Sequence, residues 1–552
     1  MKTLEFSFLL LSAILASSYL ARMLPISLPT PIIQIILGYL IAATTNYGLK
    51  LDPDIFFLLF LPPLLFLDGW RIPKDGLLRD KTAILQLALG LVVFTVIGMG
   101  FIIHWMIPAM PLTVAFALAA IISPTDPVAV SSITERIPVP KRLMRILEGE
   151  SLLNDASGLV CFRFAIVATL TGSFSLSQAS LTFLWVSLAG LGIGILVMLG
   201  STLIQQWFSR RFGEENGTPI LLSLLVPFAA YLLAEHINAS GILAAVAAGI
   251  TMSYVELSGK ALARTRIQRT AAWDTLHFTL NGAMFILLGE QLPGIFNNAV
   301  TAVTLTGHST PWWLLLYVFV INAGLVLLRF GWVWLSLYMN LIRADNQAWK
   351  QLPLRQQWKL IAVISVAGVR GSITLAGVLT IPLLLSDGTP FPARDLAIFL
   401  AAAIILLSLI TASIALPRLL AGLEIPAGNK TIKEEEFART EAALAAIEAL
   451  RKTIGQSQNN TTATDDHPAD SHTTTALRMI EFYQERINSI NARNTTNSDS
   501  IRRNDQAEHQ LRLIALQAER KMLFQLARDF RISDTTTRKL VRELDLLESQ
   551  RG

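Results

Sequence analysis

The stretch EGESLLNDASGLV, residues 148–160, sets an amide, Asn154, beside a carboxylate, Asp155, in a run that is otherwise apolar to about residue 171. If that run crosses a bilayer, a carboxylate inside it is expensive unless it is paired, solvated or used. The rest of the chain decides the matter. Of 552 residues, 53% are hydrophobic and only 15% charged, with a mean hydropathy of +0.52. That is too apolar and too long for one soluble core, and it points to an all-α polytopic membrane protein. The single cysteine, Cys161, excludes a disulfide framework and a multi-cysteine metal site. A net charge of +5 gives no sign of nucleic-acid binding.

Thirteen apolar segments are long enough to span, or nearly so: 4–21, 31–46, 54–69, 83–107, 111–132, 148–171, 181–208, 218–235, 238–255, 273–290, 312–340, 359–385 and 395–421. Loop charge supports the count. The loops after odd-numbered segments carry Arg22, then Arg71, Lys74, Arg79 and Lys81, then Arg136, Lys141, Arg142 and Arg145. Later ones carry Arg210 and Arg211, then Lys260, Arg264, Arg266 and Arg269, then Arg343, Lys350, Arg355 and Lys359. The alternate loops hold only Lys50 and Arg394. This bias makes the basic loops cytoplasmic, with the N-terminus outside and the C-terminus inside. Lys2 and FSFLLLSAILASS resemble a cleavable leader. Translocation and cleavage would invert every later basic loop, so the segment is expected to stay as the first helix.

Beyond residue 421 the character changes. EEEFARTEAALAAIEALRKTIG is charged and helical in period, and a polar linker follows near 455–475. Amphipathic helices are expected at 475–493, 503–530 and 534–549, the last capped by Ser533 or Asp534. Residues 422–552 thus read as a helical cytoplasmic tail, a dimerisation or regulatory module.

At about 1.5 Å per residue, Asp155 and Asn154 lie near mid-membrane, and SPTDPVAV in the fifth segment brings Thr125 and Asp126 to the same depth. Pro124 and Pro127 bracket that pair, break the helix and free carbonyls around the carboxylate. The twelfth segment carries SVAGVRGSITLAG, with Gly368, Arg370 and Gly371 at similar depth. Two broken helices, one in each half of the chain, point to a binding site at the interface of inverted repeats. Ser151 and Asp155 are one turn apart, as are Glu150 and Asn154, so one helix face carries hydroxyl, carboxylate and amide oxygens. Oxygen ligands suit a hard monovalent cation, and no His or Cys cluster suggests a transition metal. Glu150 and Arg329 reach matching depths, and each alone would be a buried unpaired charge, so they are expected to pair. Arg370 either braces its broken helix or sets the field at the site. Asp68, at the end of LPPLLFLDGW, is as readily interfacial as functional, and Arg163, Cys161, Glu235, His236 and Glu290 read as structural.

FLPPLLFLDGW, ISPTDPVAV, EGESLLNDASGLV and AGVRGSITLAGVL resemble, in order, the signature segments of monovalent cation:proton antiporters of the sodium/proton exchanger type, over residues 1–421. The FPARD and AEHINASGILAAVAAG stretches are most similar to the bacterial YjcE-type branch. The resemblance implies thirteen helices with two crossed, broken ones. It also implies dimer-type helices mainly in 1–82 and 181–290, an ion-binding core mainly in 83–171 and 312–421, and elevator-type alternating access in a homodimer of the bacterial inner membrane. It makes Asp155 the ion and proton carrier, puts Asp126, Thr125 and Ser151 around the cation, and has Asn154 bonding across the broken fifth helix. The Asn–Asp pair implies electroneutral exchange of one Na+ for one H+, serving pH homeostasis; K+/H+ exchange is the alternative. No cofactor is expected, only the transported Na+ and H+.

The coupling that the resemblance implies has a physical reading. Cation and proton compete for one carboxylate, since a bound cation favours its ionised form. That carboxylate crosses only when neutralised. No GxxxxGK[ST] phosphate loop is present. An intramembrane aspartyl protease would also need two carboxylates at depth, but GxGD and YD motifs are absent. A cation channel is the remaining rival.

Overall fold

The structure, a computed structural model, describes residues 2–421 apart from 24–27, 45–52, 73–80, 135–140, 173–175, 214–216, 258–262, 306–311, 344–352 and 386–387. In the tail it describes 440–493 apart from 453 and 455–468, and a few residues between 515 and 540. The chain divides into two compact units, Met1–Ile425 and Pro426–Gly552.

The described residues of the first unit are almost all helical and form no strand, only an isolated bridge between Leu384 and Pro390. In order, the helices are α1 (Lys2–Met23), α2 (Thr30–Thr44), α3 (Pro53–Arg71) and α4 (Lys81–Leu85, the π-turn Gln86–Leu91 and Val92–Met106). There follow α5 (Leu112–Ile122), α6 (Pro127–Thr134), α7 (Lys141–Thr171), α8 (Leu176–Phe212), α9 (Thr218–His236) and α10 (Gly241–Leu257). The series ends with α11 (Ala263–Leu305), α12 (Trp312–Arg343), α13 (Leu354–Val366), α14 (Ser372–Leu379) and α15 (Arg394–Leu420). Each apolar segment coincides with one helix, except that the fifth is the pair α5 and α6 and the twelfth the pair α13 and α14. Among the described residues, seven helices are long and apolar enough to cross a membrane.

Helix ends differ from the hydropathy boundaries where charge interrupts the apolar run, and α11 also continues through Pro293. Helix α7 starts at Lys141 rather than 148, and α11 extends from Ala263 to Leu305 rather than over 273–290. No Gly or Pro lies between Lys141 and Gly149, so nothing stops propagation through the basic turn. In the second unit α16 (Ala469–Arg493) begins six residues before the expected 475, directly after Pro468. The expected helices at 503–530 and 534–549 lie almost wholly outside the described residues.

Close packing is set by glycine. A Cβ at Gly38 would overlap the carbonyl of Ile286, and one at Gly289 the carbonyl of Ile35, so α2 and α11 touch backbone to backbone. Gly69 with Val246 and Gly249 with Phe66 make the same reciprocal contact between α3 and α10. Small residues at such crossings replace the hydrophobic drive that lipid removes. Large apolar side chains left exposed, among them Leu188, Leu196 and Leu203 on α8, suit a lipid-facing surface. At helix ends Trp105 and Trp312 are exposed, as an aromatic belt requires.

The π-turn of α4 frees carbonyls, and neighbours take them up. Trp332 Nε1 donates to Gln86 O at 3.0 Å and Ser157 Oγ to Ala88 O at 2.6 Å. Unpaired carbonyls at that depth would be costly.

Gly249→Ala is expected to lower stability by about 1–3 kcal/mol through overpacking. Gly192→Ala on α8, where a Cβ meets nothing within 4 Å, is expected to be near neutral. Thermal unfolding in detergent of the two variants checks the contrast.

Candidate functional site

The two breaks, residues 123–126 and 367–371, lie against each other. Asp126 N–H donates to Val369 O at 2.8 Å. Arg370, 4% exposed, extends back across the crossing; its Nη1 donates to Pro124 O at 2.9 Å and also to Ser123 O. Its own N–H donates to Ser408 Oγ of α15 at 3.1 Å. Gly371 has no side chain because the Asp126 carboxylate occupies that space. Gly158 on α7 leaves room for the Pro124 ring in the same way.

Glu150 and Arg329 face each other across α7 and α12, 0% and 2% exposed. The contact is bidentate, with Nη1–Oε1 at 2.5 Å and Nη2–Oε2 at 2.7 Å. Arg329 Nε also donates to Ile364 O at 2.9 Å, in the last turn of α13. Thr125 Oγ1 donates to Glu150 Oε1 at 3.4 Å, and Asn154 Nδ2 donates to Thr125 Oγ1 at 3.0 Å. The amide therefore bonds across the broken helix.

Asp155, Asp126, Ser151 and Thr125 line one cavity, together with Asp68, Pro124, Gly371 and Thr374. About 30 Å³ of it is open to the centre of a water-sized sphere, enough for a small cation or two waters. Three carboxylates and three hydroxyls around such a space form a hard-oxygen donor set of the kind alkali cations take. Among the described residues no cluster of His, Cys, Asp and Glu has the arrangement of a transition-metal site. Asn154 stands behind this wall, on Thr125.

Asp68, on α3, lines the same cavity as Asp155. Arg370 braces the crossing. Arg163, on α7, pairs with Glu235 at 3.2 Å, and the same Glu235 oxygen accepts from Gly241 N–H, so Glu235 ties α9 to the start of α10. His277 and Asn281 of α11 also line the cavity and were not picked out from sequence. Their signal was available, as polar residues at 274, 277 and 281 recur at helical spacing through an apolar segment.

The family model for the transmembrane part of sodium/hydrogen exchangers matches residues 9–422. The chain is 40% identical to the Escherichia coli protein named as the uncharacterised Na+/H+ exchanger YjcE, over 99% of this chain and 98% of that one. It is also 40% identical to a Bacillus subtilis sodium, potassium, lithium and rubidium/H+ antiporter, over 98% of this chain and 77% of that one. The solved structure of the sodium/proton antiporter MjNhaP1 from Methanocaldococcus jannaschii superposes with a TM-score of 0.54 at 18% identity. It covers 77% of this chain and 99% of that one, so it speaks to the fold alone.

Glu150→Gln or Arg329→Gln alone is expected to cost about 3–5 kcal/mol, because each leaves a buried charge unpaired. The double variant should lose less than the sum of the two. Thermal unfolding in detergent completes the cycle, and additive losses would mean that the two side chains are not coupled.

Proposed function

The chain belongs to the sodium/hydrogen exchanger family, and from that premise we propose that it exchanges Na+ for H+ one for one, by elevator-type alternating access in a homodimer. The observation that carries the reading is the cavity at the first break that Asp155, Asp126, Ser151 and Thr125 line together. Asp155 binds either the cation or the proton. Asp126, Ser151 and Thr125 complete the cation's shell, and Asp68 closes the shell from α3. Asn154, Glu150 and Arg329 hold the broken fifth helix in place and carry nothing.

The loop charges support thirteen crossings with the C-terminus in the cytoplasm, and the host membrane is then a bacterial inner membrane. The division into dimer-type helices and ion-binding core follows the resemblance. Exchange without ATP fits competition at one carboxylate, because moving it bare through lipid costs too much. A K+/H+ exchanger of the same fold is the second reading, favoured by the cation range in the name of the B. subtilis relative.

Purified protein in liposomes containing a pH dye tests the proposal. Asp155→Asn should abolish sodium-triggered proton movement while still inserting, and wild-type exchange in that variant would sink the carrier role. Asp126→Asn should lower rate or affinity at least about tenfold, equivalent to about 1.4 kcal/mol. A cation series in the same assay separates Na+ from K+.

One carrier carboxylate further requires that an imposed membrane potential leave the exchange rate unchanged. A net current on solid-supported membranes that reverses with the sodium gradient would reveal a second moving charge and refute one-for-one exchange.

A further inference from the structure

A second polar cavity lies beside the second break, lined by Asn322 of α12, Ser365 of α13, Arg370, and Ser408 and Thr411 of α15. No described residue lines both this space and the carboxylate cavity. About 10 Å³ of it is open to the centre of a water-sized sphere, room for about one water.

Two of its side chains are buried and short of partners, Arg370 at 4% and Asn322 at 8% exposed. Arg370 Nη1 donates to Ser123 O and Pro124 O, but its Nε–H and Nη2 hydrogens reach no described residue. The Asn322 amide makes no hydrogen bond to a described residue either. None of these atoms is sealed off by protein, and the space that the two residues share is this cavity. The hydroxyls are committed in the other sense. Ser365 donates to Ile361 O at 2.7 Å, Ser408 to Ile405 O at 2.9 Å and Thr411 to Leu407 O at 2.7 Å. Each hydroxyl proton is spent within its own helix, so only lone pairs are left for the cavity. Asn322 stands seven residues, about two turns, before Arg329, which puts both on one face of α12.

This pattern selects the ligand. Arg370 excludes a cation. An anion would accept from the guanidinium but would also meet the lone pairs of three hydroxyls. Water accepts from the first, donates to the second, and has the size of the space. We propose that the cavity holds one ordered water, which accepts from the Arg370 guanidinium and donates to Asn322 Oδ1. Asn322 is then a positioning residue, acting on the second break only through that water. The bonded partners of Arg370 are all neutral, and buried donors left without any partner are costly, so the water completes the brace. One face of α12 thus carries Arg329 to Glu150 and steadies Arg370 as well.

The full-length protein in lipid nanodiscs, exposed to X-ray pulses in water enriched in heavy oxygen, tests the site. Radicals formed from a bound water oxidise the side chains that touch it. Leu325 lines the cavity and is 2% exposed, whereas Ile321, one turn earlier, is fully buried and does not line it. Leu325 should be oxidised and Ile321 spared. Asn322→Leu, close to Asn in volume, should remove the Leu325 label and lower the melting temperature. Asn322→Ser keeps a hydroxyl and leaves room for a further water, so both readouts should stay near wild type. Equal labelling of Leu325 and Ile321 in the wild type would mean no water particular to the cavity and overturns the proposal. A Leu325 label that survives Asn322→Leu overturns it, and so does one lost equally with Ser, which marks packing alone. An anomalous peak at the site in crystals grown in bromide would put an anion there and overturn it as well. If Asn322→Leu fails to insert, Asn322→Val is read by the same criteria, and the wild-type label needs no variant.

Discussion

Each break in the membrane-depth helices completes the backbone of the other, and the rest of the site depends on that exchange. A chain interrupted at that depth leaves amides and carbonyls that no water can satisfy. Here Asp126 N–H meets Val369 O, and Arg370 covers the carbonyls of Ser123 and Pro124. Arg329 covers Ile364 O at the end of α13. Both guanidinium groups thus stand at C-terminal ends of half-helices, where the dipole is negative, and Asp126 stands against Gly371, which caps the N-terminus of α14. The breaks are held by charges of the sign that each helix end favours.

This assignment decides which charges remain for cargo. Arg329 is committed to a carbonyl and to Glu150, and Arg370 to two carbonyls, so neither guanidinium is bonded to the cavity carboxylates. Asp155, Asp126 and Asp68 line one small space. Part of the wall, Asp68 included, comes from α3 and α11, which glycine-mediated contacts hold against α10 and α2. The crossing presents Asp126, α7 presents Asp155, and the glycine-packed α3 presents Asp68.

Much of this was legible in the sequence, because cost at membrane depth makes polar residues informative. Pro124, Pro127, Gly368 and Gly371 marked the breaks, and rise per residue placed Glu150 level with Arg329. What was not legible had two causes. Asp68 and His277 lie near ends of apolar segments, where hydropathy treats a polar residue as a boundary, and only tertiary packing turns them inward. Arg370 was ambiguous because its partners are carbonyls, and backbone atoms leave no trace in side-chain pattern. Helix ends were misplaced for a related reason. Hydropathy reports where lipid contact stops, whereas α7 and α11 continue until their hydrogen bonding does.

The amide at position 154, beside the carrier, follows from the same accounting. Its Nδ2 donates to Thr125 Oγ1, which frees the hydroxyl proton of Thr125 to donate to Glu150. A carboxylate at 154 has no proton to give when ionised. Thr125 would then have to donate to it, and its link to Glu150 would be lost. The exchange would also add a negative charge beside Asp155, with no cation free to match it, since both nearby arginines are committed. Asn154 keeps the broken fifth helix tied to α7 by donation alone, and its other atom, Oδ1, is buried without a partner. That orphaned acceptor is the cost of linking the two helices without charge, and it leaves Asp155 the one carboxylate of the Asn–Asp pair.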